Sequence, residues 1–367
     1  MSTLVLSASD IATLVHVVGR DNLMDRMIEQ MRSGMAALGR GEFELSPRRG
    51  GFTRNADGLG VIEWMPHHEP GRSMTLKTVG YTPTNPLGRG LPTILGTVTR
   101  YDDTTGQLVA LADGVVTTAI RTGAMSAVAS GLLARPDSAT VGFIGAGAQA
   151  VTQLHALSRT FPLRRVLVSD VNAEHAAGFA RRVAFLGLDV AFETVAPERV
   201  AAESDIICTA TTVGVGEGPV LPDGEMRAHV HVNAVGADLP GKTELSYGLL
   251  DRSLVTYDHL PQALIEGECQ QLSENSLGPS LATFCAHPEK AEEWRGRSTV
   301  FDSTGFALED HLALDVFLEL AEQHGLGRRI DVEYHPADSL NPYPSEPLSD
   351  LSVRDSEDSL RPAVAAV

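Results

Sequence analysis

The feature that most constrains this chain is Gly145-Ala146-Gly147-Ala148-Gln149-Ala150, a GxGxxA run that follows the apolar stretch Val141–Ile144 and opens a segment of helical spacing. A strand, a glycine turn and a helix in that order form the start of a βαβ unit. Gly145 permits the tight turn, and Gly147 lets backbone N–H groups at Gly147, Ala148 and Gln149 approach a pyrophosphate. Ala150 lets helix and strand pack closely, and the helix N-terminus faces the anion. Asp170 follows the next predicted strand, Val166–Val168. A carboxylate there accepts from a ribose 2′-OH, and no basic residue directly follows to receive a 2′-phosphate, so NAD is expected rather than NADP.

From Thr140 the pattern alternates strand and helix: Val141–Ile144, Arg165–Ser169, Ile206–Ala210, Val230–Ala234 and Leu254–Tyr257 are the predicted strands. Such alternation predicts an α/β fold with a doubly wound parallel sheet of Rossmann type. The part before it reads differently. Val61–Met65, Met74–Val79, Thr93–Arg100 and Gln107–Asp113 are β-branched runs separated by Gly, Pro and Asn clusters, which predict a hairpin-rich α+β unit. A helix from Thr117 to Leu133 leaves that unit and Arg135-Pro136-Asp137 ends it. A last helix, about Glu309–His324, returns to it. The expected division is residues 1–135 with 308–344 as one domain and 136–307 as the Rossmann domain. Residues 345–367, with Asp350, Asp355, Glu357 and Asp358 among Ser and Pro, read as a disordered acidic tail.

Composition narrows the function. Forty-seven acidic against 29 basic residues give a formal charge of −18, which repels a phosphate backbone and argues against nucleic acid as a partner. No apolar run of about 18 residues suggests a membrane span, and Met1–Asp21 lacks the pattern of a secretory leader, so a soluble, cytoplasmic protein is expected. Cys208, Cys269 and Cys285 have no CxxC spacing and read as buried, reduced thiols. His229 and His231 share a strand face, but no third ligand has a convincing spacing, so no metal site is expected.

Ala119-Ile-Arg-Thr-Gly-Ala-Met-Ser-Ala-Val-Ala stands before the glycine turn, and Ser46-Pro-Arg-Arg-Gly-Gly, Glu63-Trp-Met-Pro-His and Leu76-Lys-Thr-Val-Gly-Tyr precede it. Asn233-Ala-Val-Gly-Ala-Asp-Leu-Pro-Gly-Lys, Glu266-Gly-Glu-Cys-Gln-Gln-Leu and Phe301-Asp-Ser-Thr-Gly follow. With these stretches the chain resembles the ornithine cyclodeaminase/mu-crystallin family over about Leu4 to Pro344. The resemblance implies that the first domain binds substrate and forms a homodimer. It assigns Arg49, Lys77 and Arg121 to the substrate α-carboxylate, with the neighbouring Arg48 as the alternative to Arg49. It places Glu63 beside the α-amino group, makes Asp238 the catalytic aspartate, gives Thr122 a cofactor phosphate contact and sets Ser303 and Thr304 near the nicotinamide.

Within the family, the stretches are most similar to those of members that act on L-lysine. The implied reaction makes L-pipecolate and ammonia through hydride loss to bound NAD, ring closure by the side-chain amine and hydride return. The alternatives are L-ornithine closing to L-proline, a ketimine reductase or amino-acid dehydrogenase, and nucleotide binding without turnover. Cations clamping the carboxylate would orient Cα–H. Asp238 must take a proton from an amine whose ordinary pKa is about 10.4, which asks for a partly desolvated site. Lysine and ornithine differ by one methylene, so pocket residues such as Val61 and Ile94 set the preference. Glu266 and Glu268 are equal candidates for a further acid in the pocket or for a helix cap.

Overall fold

The computed structural model describes residues 2–54 and 60–343; the segment read as an acidic tail, 345–367, lies outside the described residues. Two seven-stranded sheets organise the chain. The first contains β1 (Thr3–Leu6), β2 (Gly50–Thr53), β3 (Val61–Glu69), β4 (Ser73–Tyr81), β5 (Ile94–Asp102), β6 (Leu108–Asp113) and β14 (Arg328–Ile330), in the order β14-β1-β6-β5-β4-β3-β2. Its pairs are antiparallel except β1 with β6. The second contains β7 (Thr140–Ile144), β8 (Arg165–Ser169), β9 (Ala191–Thr194), β10 (Ile206–Thr209), β11 (His231–Ala234), β12 (Leu254–Tyr257) and β13 (Thr299–Asp302), all parallel, in the order β12-β13-β11-β10-β7-β8-β9.

Burial explains the difference. β7, β10, β11 and β13 are buried at every position, as parallel strands covered on both faces must be, whereas β4 alternates between deeper and shallower positions. From β7 the chain runs one way through β8 and β9, then crosses to β10 and β11 on the other side. The switch between β7 and β10 is where an open α/β sheet forms its ligand crevice. The sequence pattern, which also reads a short strand at Leu4 where β1 forms, missed β2, β9, β13 and β14. The important omission is β13, because it inserts between β11 and β12 and carries Asp302 to the strand ends.

Two helices join the sheets. The helix Val115–Leu133 leaves β6 and packs on Ala148–Thr160, the helix after the glycine turn; a Cβ at Gly123 would lie 2.5 Å from the Thr152 carbonyl oxygen. The helix Ala307–His324 leaves β13 and returns to lie against β3 and β4. Directly paired residues of antiparallel strands share a face. The register therefore sets Val61, Tyr81 and Ile94 in one row, Glu63, Val79 and Gly96 in the next, and Met65, Lys77 and Val98 in a third. The opposite face exposes Phe52, Ile62, Trp64 and Leu95.

Candidate active site

Arg49 lies just before β2 and is buried, whereas the side chain of its neighbour Arg48 is 43% exposed. The Arg49 guanidinium gathers groups from four parts of the chain. Its Nε lies 3.2 Å from Glu63 and 3.0 Å from Glu266, while its terminal nitrogens donate to the main-chain carbonyls of Asp238 (2.7 Å) and Thr304 (3.3 Å). Burial pushes the carboxyl groups of Glu63 and Glu266 above their ordinary range, against the opposing charge of Arg49.

Lys77 and Arg121 form a second, deeper cluster, and neither stands free. Lys77 Nζ is 3.0 Å from Asp310, Arg121 Nε is 3.4 Å from the same Asp310 oxygen, and an Arg121 terminal nitrogen donates to Glu309. Burial lowers the Lys77 ammonium to about 8 and raises Glu309 to about 8, in both cases against the partner charges. The sequence reading included the cations and missed these acids. A signal was present: Glu309 and Asp310 stand side by side in the first turn of a helix that continues through Leu312-Ala313-Leu314 and Val316-Phe317-Leu318, and adjacent acids in such a setting need buried partners.

Asp238 follows β11 on the loop ending at Gly241, at the carboxyl edge of the parallel sheet. Its side chain is 28% exposed and its Oδ1 accepts from Lys242 Nζ at 2.8 Å. Lys242 in turn lies 5.4 Å from the centre of the Tyr81 ring, in the row that holds Val61 and Ile94. Burial disfavours the Lys242 charge, but Asp238 holds it above its ordinary value. Lys242 and Tyr81 are further residues that the sequence reading left out.

At the other end, Gly145 has φ +95°, and a Cβ there would be 2.6 Å from the Ala210 carbonyl oxygen, so only glycine fits between the ends of β7 and β10. A Cβ at Gly147 would meet nothing within 4 Å, and Gly147 and Ala148 are exposed at the start of the helix, with Gln149 behind them. Asp170 receives the Ala146 N–H (2.7 Å) and the Asn172 N–H (2.8 Å), while Arg182 donates to the Ala146 carbonyl. Its two oxygens retain lone pairs for a hydroxyl. Thr122 instead turns its hydroxyl to the Thr118 carbonyl (2.8 Å) within its own helix.

Ser303 and Thr304 lie at the end of β13. Thr304 Oγ1 donates to Asp258, which also receives the N–H groups of His259 and Gly305. Glu266 and Glu268 separate clearly: Glu266 joins Arg49, while Glu268 accepts from the Glu244 and Leu245 N–H groups and from Gln271. Burial and the neighbouring Asp302 push Glu268 well above its ordinary value, and burial carries Asp302 to about 7. Of the two histidines considered for a metal, His229 meets Asp205 and His231 bonds Thr299.

Among the described residues, Ser303 Oγ, Glu309 Oε1 and Asp310 Oδ2 are buried without a hydrogen-bond partner. Buried polar atoms ordinarily find partners, and these three lie just after β13 and on the helix that follows it. With the open approach over Gly147, they fit a dinucleotide and a small polar substrate end to end.

The fold and this crevice define a dinucleotide-binding α/β enzyme. The sequence model of the Ornithine cyclodeaminase/mu-crystallin family matches residues 8–325, and the chain belongs to that family. It is 54% identical over 343 residues to the L-lysine cyclodeaminase of Streptomyces rapamycinicus, covering 94% of this chain and 99% of the relative. A solved lysine cyclodeaminase, described for its recognition of L-lysine, L-ornithine and L-2,4-diamino butyric acid, superposes with TM-score 0.91 at 61% identity over 94% of this chain and 99% of the other. An archaeal alanine dehydrogenase dimer with bound NAD superposes with TM-score 0.81 at 29% identity, covering 91% of this chain and all of the other. Among the described residues, no helix is long and apolar enough to cross a membrane.

Proposed function

We propose that this chain is an NAD-dependent L-lysine cyclodeaminase, converting L-lysine to L-pipecolate with release of ammonia. The observation that carries the reading is the position of Asp238: a partly buried carboxylate at the strand edge, its main chain held by the arginine that also meets Glu63. Near-full-length similarity to an enzyme of that activity supports it.

The α-carboxylate would lie against Lys77 and Arg121, with Arg49 at its side and Glu63 beside the α-amino group. Clamping one end fixes the α-carbon in the crevice. The raised Glu63 carboxyl suits proton exchange with the α-nitrogen. NAD would be held by Gly145, Gly147, Ala148, Gln149 and Asp170, with the Thr122 hydroxyl leaving the Thr118 carbonyl for a phosphate oxygen and Ser303 and Thr304 near the nicotinamide; the bound group would supply hydride acceptance from the α-carbon and hydride return after cyclisation. Asp238 takes the proton of the ε-ammonium, which frees that nitrogen to close the ring and lets the α-nitrogen leave as ammonia. Lys242 orients the Asp238 carboxylate. Val61 and Ile94, flanking Tyr81, bound the space for the side chain and so set the choice between L-lysine and L-ornithine.

The division into residues 1–135 with 308–344 and 136–307 follows the two sheets. The exposed row of Phe52, Ile62, Trp64 and Leu95, with the Phe52 and Trp64 rings 5.2 Å apart, is the surface expected to form a homodimer. Three buried free cysteines suit a reducing, cytoplasmic setting, and the imino acid product suits peptide and polyketide antibiotic assembly.

The test is L-lysine labelled with ¹⁵N at the α position, incubated with enzyme and substoichiometric NAD⁺. Labelled ammonia and unlabelled pipecolate are expected. Label retained in the ring would reject this order of bond making and breaking.

A further inference from the structure

The deep cluster has a charge balance that a substrate upsets. Lys77 from β4 and Arg121 from the helix Val115–Leu133 contribute two positive charges; Glu309 and Asp310 from the helix Ala307–His324 contribute two negative ones. All four side chains are buried, at 6% exposure or less. An amino-acid carboxylate entering this group adds a negative charge that no unpaired cation among the described residues offsets, because Arg49, at its side, already meets Glu63 and Glu266. An uncompensated charge in such a place is strongly unfavourable, and a buried carboxyl group relieves it by taking a proton.

The geometry selects which group does so. Asp310 is shared by both cations, whereas Glu309 has Arg121 alone. Asp258 faces Glu309 from the segment after β12, but its oxygens already receive two backbone N–H groups and the Thr304 hydroxyl. Glu309 Oε1 is buried and has no partner, so a proton there would have a free lone pair to occupy and an incoming carboxylate to donate to. The groups acting on Glu309 are Arg121 and Lys77, which favour its charge, and Asp258 and Asp310, which oppose it; burial outweighs them all.

We propose that Glu309 is the proton-carrying member of the clamp, a positioning residue that is neutral whenever an amino-acid carboxylate lies against Lys77 and Arg121, so that binding at alkaline pH draws one proton onto it. This rests on the substrate reading given above. Glu309 touches no reacting bond; with Arg121 it holds the carboxylate in place.

Calorimetric titration of the NAD-loaded enzyme with L-pipecolate, at about pH 9 in buffers of different ionisation enthalpy, counts the protons. Wild type is expected to take up a proton at Glu309 and another at Lys77, which burial lowers to about 8, the count falling towards zero near pH 6, where both are already protonated. Glu309→Gln, which imitates the neutral acid, is expected to take up close to one proton fewer and so to bind about tenfold more tightly than wild type at about pH 9, the two affinities converging near pH 6. Equal proton counts in the two proteins would overturn the proposal, as would a wild-type count that does not change with pH. A loss of more than about 100-fold in Glu309→Gln affinity would show that the charge itself is required. No binding of L-pipecolate to wild type would overturn the substrate reading, and this proposal with it.

Discussion

At one end of the crevice, a single turn of about six residues supplies the cradle; at the other, the charged groups come from β3, β4, two long helices and the loops after β11 and β12. Gly145, Ala146 and Asp170 fix the first end through contacts within one βαβ unit. The second exists only when the helix Ala307–His324 has come back to the first sheet. Local construction makes the dinucleotide end tolerant: losing one contact leaves the turn in place. The clamp is interlocked at Arg121, which meets both Glu309 and Asp310, so that its loss leaves Glu309 buried without a cation.

That contrast can be broken most severely at Arg121. Arg121→Met strands Glu309 and the second contact of Asp310, and breaking a buried pair in this way costs about 3–5 kcal/mol. A drop of that size in urea denaturation, with turnover below detection, is expected; a variant as stable as wild type would show that the cluster is not interlocked. Asp238→Asn tests the junction of the two ends. It should lower kcat by about 10²–10⁴, the usual contribution of a positioned proton acceptor, while NAD affinity stays within about twofold by fluorescence titration.

A smaller effect is expected at the dinucleotide end. Gly145→Ala forces a side chain into a left-handed backbone and onto the Ala210 carbonyl; strain of about 1–3 kcal/mol should weaken NAD binding about 10–100-fold and leave the charge cluster intact. Less again is expected from Asp302, whose carboxyl burial raises to about 7. The folded protein then holds a proton that the unfolded chain releases near its ordinary value, so this contribution to stability is full below about pH 4 and lost as pH rises through 7. Asp302→Asn should flatten that slope in urea midpoints measured from pH 5 to 8. The smallest change is at Val61 or Ile94, where removing or adding a methyl group should shift the lysine-to-ornithine ratio of kcat/KM by about tenfold.

These expectations follow how much of each end could be read along the chain. The glycine turn and Asp170 lie in consecutive elements, and their spacing is dictated by one strand, one turn and one helix. Lys77 on a strand and Arg121 in an Ala-rich helix carry no local mark of burial; the likeness to a family singled them out, and the fold then supplied Glu309 and Asp310. Between Glu266 and Glu268 the sequence had no basis to choose, because two residues in one short turn differ only in which neighbour each meets. Glu266 turned to Arg49 and Glu268 to the backbone of Glu244 and Leu245.

The order of apolar runs and turns was enough to determine a doubly wound sheet, because parallel strands buried on both faces need continuous hydrophobic stretches and short glycine turns. It also determined the dinucleotide cradle, since a helix N-terminus presents its N–H groups wherever it forms. Which charges meet was decided by tertiary structure alone. β13 had to slot between β11 and β12, and the next helix had to cross back, before residues more than 180 positions apart, such as Arg121 and Glu309, could lose their water together and compensate one another.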